Sequence, residues 1–345
     1  MLIPVTNNRI VAHIEPSMFG PPSVMWEEFM PRISNELPAS VVYLYASEAD
    51  AIAGAPDGGT GFLVALPAQQ DRIYVIANAH VIKDSPFIRV NPRDTSLPFA
   101  IFRGKWKCHK KGDDVAACRI TSLDLAVHDY QTINLATFVT PALKANLDIG
   151  LGEDLFMVGR FINHEGKERN FPTARFGTIA SMDNEPIPNI ETGYLQDAFL
   201  VKIRTIPGYS GSPVFVHIPK ERLEREGVRA NAEDIKLFKR YGYVEKVLGI
   251  EWCRTLDRVS QEYVSRGTFD VHINTGLSAV IPAWKITELL TQMENDDKPR
   301  GTRKARPLIE HTGAKQKRKN RDIPIPPISR KKFVEALTKA TKRKD

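Results

Sequence analysis

The most informative segment of the chain is the heptapeptide Pro207-Gly208-Tyr209-Ser210-Gly211-Ser212-Pro213, followed by the apolar run Val214-Phe215-Val216. Glycine, serine and proline at this density predict a sharp turn that leads into a β-strand. A serine between glycines on such a turn can present its Oγ together with backbone N–H groups. Acyl-transfer chemistry needs that combination, because amide donors must point to the carbonyl oxygen that becomes negative. Such clusters are also ordinary turns, so the interpretation depends on the rest of the chain.

Motifs upstream of this turn strengthen the interpretation. Ala77-Asn78-Ala79-His80 places a histidine at the end of an apolar run, Thr60-Gly61-Phe62-Leu63-Val64 precedes it, and Asp114-Val115-Ala116 places an aspartate directly before another apolar run. Together these segments resemble the trypsin-like serine proteases in their bacterial, disulfide-free form, over about residues 40–283. The order His, Asp, Ser is one of several in which a catalytic triad occurs.

The resemblance implies an all-β fold. It consists of two Greek-key antiparallel β-barrels with the active site between them, followed by a C-terminal helix and a basic tail. Regularly spaced runs of β-branched and aromatic residues, separated by Gly, Pro, Asp and Asn, also predict an antiparallel sandwich or barrel. The first set of runs is Val41–Tyr45, Gly61–Leu66, Arg72–Ala77, Phe87–Val90, Phe99–Phe102 and Val115–Ile120. The second set is Asp154–Phe161, Ala174–Ala180, Ala198–Ile203, Pro213–Ile218, Val247–Trp252 and Leu277–Ile281.

These patterns predict three parts of the chain. Residues 1–39, in which prolines are scattered, form an N-terminal arm. Residues 40–297 form the protease-like domain, and residues 298–345 form a disordered basic tail that ends in a short helix. Within the domain we expect, in chain order, a first barrel (about 40–135), a second barrel (about 150–283) and a C-terminal helix (283–293).

The resemblance also assigns roles to individual residues. Ser210 would be the nucleophile, His80 would take its proton, and an aspartate would orient the imidazole. Two aspartates fit, because Asp114 and Asp124 are both followed by a hydrophobic residue and an alanine. We favour Asp114, since a predicted strand follows it directly, and Asp124 remains the alternative acid. The backbone N–H groups of Gly208 and Ser210 would form the oxyanion hole.

A substrate pocket is implied as well. Its walls would come from residues shortly before the nucleophile and from the later strand segment Ile250-Glu251-Trp252. Arg204, six positions before Ser210, stands where the base of the pocket is expected. A cation there would favour an acidic substrate residue before the scissile bond, through charge pairing. The alternative is that Arg204 is a surface residue.

Charge is divided unevenly along the 345 residues. The formal net charge is +7, yet residues 298–345 contain 17 Lys or Arg against 4 Asp or Glu, whereas the other 297 residues contain 31 against 37. This asymmetry predicts a polyanion or an acidic protein as a non-specific partner of the tail. The alternative is a solvated extension without a partner.

Composition also limits the chemistry and the compartment. The remaining histidines lack metal-ligand spacing to cysteine or acid, and no phosphate loop or dinucleotide fingerprint occurs, so we expect no metal and no cofactor. Three cysteines are too few for a disulfide framework. No stretch has the pattern of a signal peptide or the length of a membrane span, so we expect a cytoplasmic protein that does not engage a membrane.

Three functions are compatible with these features. The first is a serine endopeptidase that hydrolyses a protein or peptide substrate through an acyl-enzyme intermediate. The second is a catalytically silent binding module on a protease fold, and the third is a polyanion-binding protein that acts through residues 298–345. The charged segment between Ile218 and Val247 predicts a surface insertion beside the nucleophile, either a solvated helix or a lid that gates the cleft.

Overall fold

The computed structural model describes residues 33–34, 36–66, 69–162, 168–182, 185–189, 194–224, 227–263 and 267–297. The described residues from Glu36 onward belong to one compact unit. Most of the expected N-terminal arm (residues 1–32 and 35) and the whole basic tail fall outside the described residues. Their predictions therefore stay predictions.

The first half of the chain forms an antiparallel sheet with one parallel addition. Its strands are β1 (Val41–Tyr45), β2 (Gly59–Leu66), β3 (Gln69–Ala77), β4 (Phe87–Val90), β5 (Ala100–Arg103), β6 (Lys107–Cys108), β7 (Ala116–Ile120) and β8 (Ile133–Asn134). Their order is β5-β4-β1-β2-β3-β7-β6, and β8 pairs with β2. Within the described ranges no pairing joins β5 to β6, so this sheet is a half-barrel. Two short helices, α1 (Glu48–Ala53) and α2 (Ala79–Asp84), follow β1 and β3.

The second half forms a closed six-stranded barrel in the order β10-β13-β16-β15-β14-β9. Its strands are β9 (Asp154–Gly159), β10 (Thr173–Ser181), β13 (Phe199–Lys202), β14 (Pro213–Pro219), β15 (Tyr243–Tyr263) and β16 (Gly267–Pro282). The barrel closes because β9 pairs with both β10 and β14. Outside it lie a two-stranded ribbon and three helices: β11 (Ile187–Pro188), β12 (Leu195–Gln196), α3 (Pro141–Asn146), α4 (Ala232–Tyr241) and α5 (Ala283–Asp297).

The expected all-β class with a C-terminal helix is confirmed, and each predicted strand overlaps an observed one. The largest difference is the β15–β16 hairpin, whose pairing runs from Gly249↔Pro282 to Tyr263↔Gly267. The sequence analysis assigned only the barrel part of this hairpin. The outer part of β16 was missed although Phe269, Val271 and Ile273 alternate with Asp270, His272 and Asn274, which is the two-residue period of a strand.

Each half of the fold has its own apolar core. The first contains Val42, Leu44, Leu63, Val75 and Ile88. The second contains Leu155, Met157, Val201, Val216 and Leu248. Burying a side chain of this size stabilises a fold by about 1.5–3 kcal/mol. Two separate cores make each half a rigid support for the residues at its surface.

Helix α5 follows the second barrel but is also fastened to the first sheet. Its residues Ile286, Leu289, Leu290 and Met293 are buried, at the spacing of three and four that forms one helix face. At the edge of this face, the Glu294 carboxylate accepts hydrogen bonds from Arg72 and Tyr74 of β3. The helix thus ties the two halves together on the outside of the fold.

The segment between β14 and β15 is a packed part of the second barrel. Phe238 of α4 lies in the core, and the buried carboxylate of Asp234 pairs with the buried ammonium of Lys246. The expected position beside the nucleophile is wrong. β14 begins at Pro213, near Ser210, and its seven residues span about 20 Å. The insertion connects the opposite end of the strand, so it lies far from the nucleophile.

Candidate functional site

His80 is held at the first turn of α2. Strand β3 ends at Ala77, and Asn78 forms the N-cap of the helix in an extended conformation. The buried Asn78 side chain donates from Nδ2 to the Asp114 carbonyl at 3.0 Å. The strand-to-helix turn is therefore attached to the segment that leads into β7, and the His80 side chain keeps 29% of its surface exposed.

His80 and Asp114 contact each other at two points. The backbone N–H of His80 donates to Asp114 Oδ1 at 2.8 Å, and His80 Nδ1 lies 2.6 Å from Oδ2. Both carboxylate oxygens are thus engaged by the same residue, which sets the imidazole plane and leaves the far ring nitrogen, Nε2, pointing away from the acid. This is the arrangement that a general base needs if a carboxylate is to orient it.

The surroundings keep the Asp114 carboxylate ionised. Its side chain is fully buried, and burial alone would raise its pKa. The hydrogen bonds and charge of His80, together with the backbone N–H of Ala79, outweigh that cost and hold the pKa below its usual value. The Asp114 backbone N–H donates to Gln196 Oε1 at 2.8 Å, and Gln196 Nε2 donates to Asp113 Oδ1 at 2.8 Å.

The turn that carries Ser210 has the conformation that its glycines permit. Gly208 and Gly211 have φ of 97° and 93°, the region that glycine adopts without steric cost. The carbonyl of Tyr209 accepts from the N–H of Ser212 at 2.8 Å, which closes the turn. In the part of the chain that the structure describes, the N–H groups of Gly208 and Ser210 donate to no other residue. They can serve an acceptor brought by a ligand.

The Ser210 turn rests on the first sheet. The N–H of Thr60 donates to the Ser210 carbonyl at 3.0 Å. A Cβ on Gly211 would lie 1.9 Å from the Thr60 carbonyl oxygen and 3.7 Å from the Asn78 nitrogen, two residues before His80. The two candidate catalytic segments therefore meet at β2. The Ser210 hydroxyl is partly exposed and donates to the Trp252 carbonyl at 3.4 Å.

Asp124 lies in a turn of its own. Its Oδ1 accepts from the N–H of Ala126 at 2.8 Å, and its own N–H donates to His128 Nδ1 at 3.1 Å. Of the two aspartates left open by the sequence, the structure brings Asp114 to His80 and holds Asp124 in a local cap. The decisive factor is the pairing of β7 with β3, which sets Ala116 opposite Ala77.

The residues suggested as a pocket are mostly buried. Ile250, Glu251 and Trp252 have 0%, 2% and 5% of their surface exposed. The Glu251 carboxylate accepts from the Ser278 hydroxyl at 2.9 Å, and its backbone pairs with the Ser210 turn through Gly211 and Ser212. Arg204 is exposed, and its carbonyl accepts from Arg175. The pocket assignment stays a prediction.

Sequence reasoning missed two residues that contact the candidate site. Thr60 opens the segment Thr60-Gly61-Phe62-Leu63-Val64, but no role was assigned to its hydroxyl from the sequence. Gln196 stands 82 residues from Asp114, in a short ribbon without a motif, and nothing in its local sequence marks it. Among the described residues no three His, Cys, Asp or Glu side chains come together as a metal site. No helix in the same ranges has the length and apolarity to cross a membrane.

Comparison with protein families agrees with this geometry. Residues 59–217 match the family described as the trypsin-like peptidase domain. The match covers β2 to β14 and includes His80, Asp114 and Ser210. Residues 59–217 are therefore similar to a trypsin-like peptidase domain, and the resemblance drawn from the motifs is confirmed.

Several solved structures are similar to the chain. The MamO protease domain from Magnetospirillum magneticum, in its apo form, has 16% identity and a TM-score of 0.43 and covers 74% of this chain and 97% of its own. The inactive form of the Rv3671c protease of M. tuberculosis has 17% identity and a TM-score of 0.41 over 74% and 89%. The HtrA-type protease AlgW with a tripeptide has 14% identity and a TM-score of 0.40 over 75% and 61%. No curated protein matches the sequence.

Proposed function

We propose that this protein is a serine endopeptidase in which Ser210, His80 and Asp114 act as a catalytic triad. The observation that carries the proposal is the two-point contact between His80 and a buried, ionised Asp114. A carboxylate held in this way selects the tautomer with a proton on Nδ1, in which Nε2 is the ring nitrogen that can accept a proton. The partial exposure of the imidazole makes it accessible to a substrate.

The proposed reaction follows from these positions. His80 Nε2 takes the proton of Ser210 as Oγ attacks the scissile carbonyl, and the N–H groups of Gly208 and Ser210 stabilise the negative oxygen. When the C–N bond breaks, the protonated imidazole gives its proton to the leaving amine. Water then attacks the acyl-enzyme with His80 again as the base. In the structure the Ser210 hydroxyl donates to the Trp252 carbonyl. We propose that it turns toward His80 when substrate binds, because serine rotamers interconvert readily and catalytic contacts often tighten only then.

A fluorophosphonate probe, which reacts with activated serines, tests the proposal. We expect labelling of the wild type and loss of labelling in Ser210→Ala and in His80→Ala. Ser212→Ala is the matched control, since Ser212 lies two residues further in the same turn and is fully buried. The wild type and Ser212→Ala should also hydrolyse casein, and Ser210→Ala and His80→Ala should not. A folded wild type that neither takes up the probe nor cleaves casein would favour the silent binding module instead.

The pocket is tested with a peptide library. We propose that Arg204 borders the site of the residue before the scissile bond, because it lies six positions before the nucleophile and is exposed. Acidic residues should then be enriched at that position of the cleaved peptides, and Arg204→Ala should remove the enrichment. Equal profiles for the two proteins would contradict this assignment.

We also propose that residues 298–345 bind a polyanion. The excess of 17 basic over 4 acidic residues in 298–345 supports non-specific binding of a polyanion. DNA binding should weaken steeply with salt and disappear when these residues are removed, with peptidase activity unchanged.

We also propose a cytoplasmic location for the protein. Fractionation of the cells that make the protein tests it, since recovery outside the cytoplasm would contradict it.

A further inference from the structure

Thr60 makes three hydrogen bonds across the boundary between the two halves of the fold. It lies in β2 of the first sheet and is fully buried. Its hydroxyl donates to the Gly208 carbonyl at 2.6 Å and accepts from the backbone N–H of Arg160, at the end of β9, at 2.9 Å. Its own N–H donates to the Ser210 carbonyl at 3.0 Å.

We propose that Thr60 is a positioning residue for the oxyanion hole, acting through its hydroxyl on the Gly208 peptide. The proposal rests on the proposed peptidase function and deepens it. Thr60 touches neither substrate nor the reacting atoms, so its effect passes through the turn.

The turn cannot hold its conformation by itself. Gly208 and Gly211 flank the nucleophile, and glycine populates positive and negative φ about equally, so the peptides beside them can rotate. The contacts of the turn restrict that rotation at three successive carbonyls. Those of Gly208 and Ser210 are bound by Thr60, and that of Tyr209 by the Ser212 N–H.

These carbonyl contacts determine where the amide donors point. In a trans peptide the N–H is directed opposite to the carbonyl of the same unit. Because the Tyr209 carbonyl points into the turn, the Ser210 N–H points out of it. The Gly208 N–H belongs to the preceding peptide unit. The Thr60 hydroxyl therefore acts on it indirectly, by holding the Gly208 carbonyl on the other side of the same Cα. Preorganised donors of this kind contribute to catalysis because they need no reorientation during the reaction.

The Arg160 contact links the turn to the docking of the two halves. The Arg160 guanidinium donates to the carbonyl of Leu44 at 3.2 Å and to that of Asp57 at 2.6 Å, and it stacks 4.4 Å from the ring of Tyr45. Both carbonyl acceptors and the Tyr45 ring belong to the first half. The Thr60 hydroxyl therefore lies where the halves meet, and the hole reaches its final geometry when they are docked.

Two substitutions separate the hydroxyl from the rest of the side chain. Thr60→Val keeps the shape and removes the hydroxyl, whereas Thr60→Ser keeps the hydroxyl and removes a methyl group. We expect Thr60→Val to lower kcat by about 10- to 100-fold. This reduction is no larger than the one caused by removing a whole oxyanion donor. KM should change by less than about threefold, since the hole acts mainly in the transition state. Thr60→Ser should have a kcat within about threefold of that of the wild type.

Ser40→Ala is the control for the loss of a buried hydroxyl. Ser40 is buried, and its Oγ donates to the Leu37 carbonyl at 2.7 Å, away from the turn. This variant should lose stability without a fall in kcat. A kcat that is unchanged in Thr60→Val, a fall that Ser does not rescue, or an effect confined to KM would each overturn the inference.

Hydrogen exchange of the turn gives a readout that does not depend on activity. Amides in residues 205–213 should exchange faster in Thr60→Val than in the wild type, and at the wild-type rate in Thr60→Ser. If the wild type proves inactive but this pattern holds, the peptidase function fails and the positioning of the turn by Thr60 stands. Unchanged exchange in Thr60→Val overturns the positioning itself.

Discussion

The Asp114 carboxylate receives the backbone N–H of His80 at 2.8 Å on one oxygen and lies 2.6 Å from His80 Nδ1 with the other. This double contact joins two strands of the first sheet, β3 and β7, at the ends that face the Ser210 turn. A histidine at the second residue of a helix and an aspartate two residues before a buried strand meet because Ala77 pairs with Ala116.

The first prediction concerns the acid of the proposed triad. Asp114→Asn preserves the shape of the side chain but favours the imidazole tautomer without a proton on Nδ1, so kcat should fall by about 10⁴-fold. The measurement is hydrolysis of a cleavable peptide near neutral pH. Asp124→Asn is the matched control and should keep kcat within about twofold. If kcat instead fell in Asp124→Asn and stayed normal in Asp114→Asn, Asp124 would be the functional acid.

The second prediction concerns the glycine after the nucleophile. Gly211→Ala should lose activity and unfold more easily by several kcal/mol, because its φ is 93° and the new Cβ would lie 1.9 Å from the Thr60 carbonyl. Thermal unfolding and probe labelling measure the two effects. Gly150→Ala is the control, since a Cβ there meets nothing within 4 Å. Normal labelling of Gly211→Ala would mean that the turn does not rest on β2 as described.

The third prediction concerns the insertion between β14 and β15. Lys246→Met leaves the buried carboxylate of Asp234 without its cation, and removing one partner of a buried pair costs about 3–5 kcal/mol. Urea unfolding should show this loss, and replacing both residues by apolar ones should recover part of it. Turnover per folded molecule should stay unchanged, since the insertion lies far from Ser210. Altered turnover at normal stability would instead support a gate.

The fourth prediction concerns pH. Burial raises the pKa of Glu245 to about 7, whereas in the unfolded chain a glutamate titrates near 4.3. Between these values the folded state holds more protons than the unfolded state, so stability falls as pH rises, and the loss is complete above about pH 7. From pH 5 to 7.5 the free energy of unfolding of the wild type should fall by about 1 kcal/mol or more relative to Glu245→Gln.

Two comparisons isolate this effect. His217 stands opposite Glu245 in the sheet, and burial lowers its pKa. Its contribution has the opposite sign, because protonation at low pH destabilises the folded state, and it remains in Glu245→Gln. Glu185→Gln, at an exposed position, should follow the wild-type profile. Parallel urea-unfolding profiles for the wild type and Glu245→Gln would contradict the assignment.

The primary sequence specified the strands and the order of the motifs. Runs rich in β-branched and aromatic residues, as in β1 and β4, predict a strand from the chain alone, because strand propensity depends on adjacent residues. The motifs around His80 and Ser210 likewise depend on adjacent residues. The C-terminal helix was predicted over residues 283–293, and α5 spans Ala283–Asp297.

Tertiary structure was needed wherever a property depends on residues far apart in the chain. Asp114 and Asp124 have the same local pattern, and only the pairing of β7 with β3 brings one of them to His80. Gln196 and Thr60 reach Asp114 and Gly208 from 82 and 148 residues away. The distance between the insertion and Ser210 depends on which end of β14 the insertion follows. Such contacts are decided by strand register and by the docking of two cores, which no local pattern encodes.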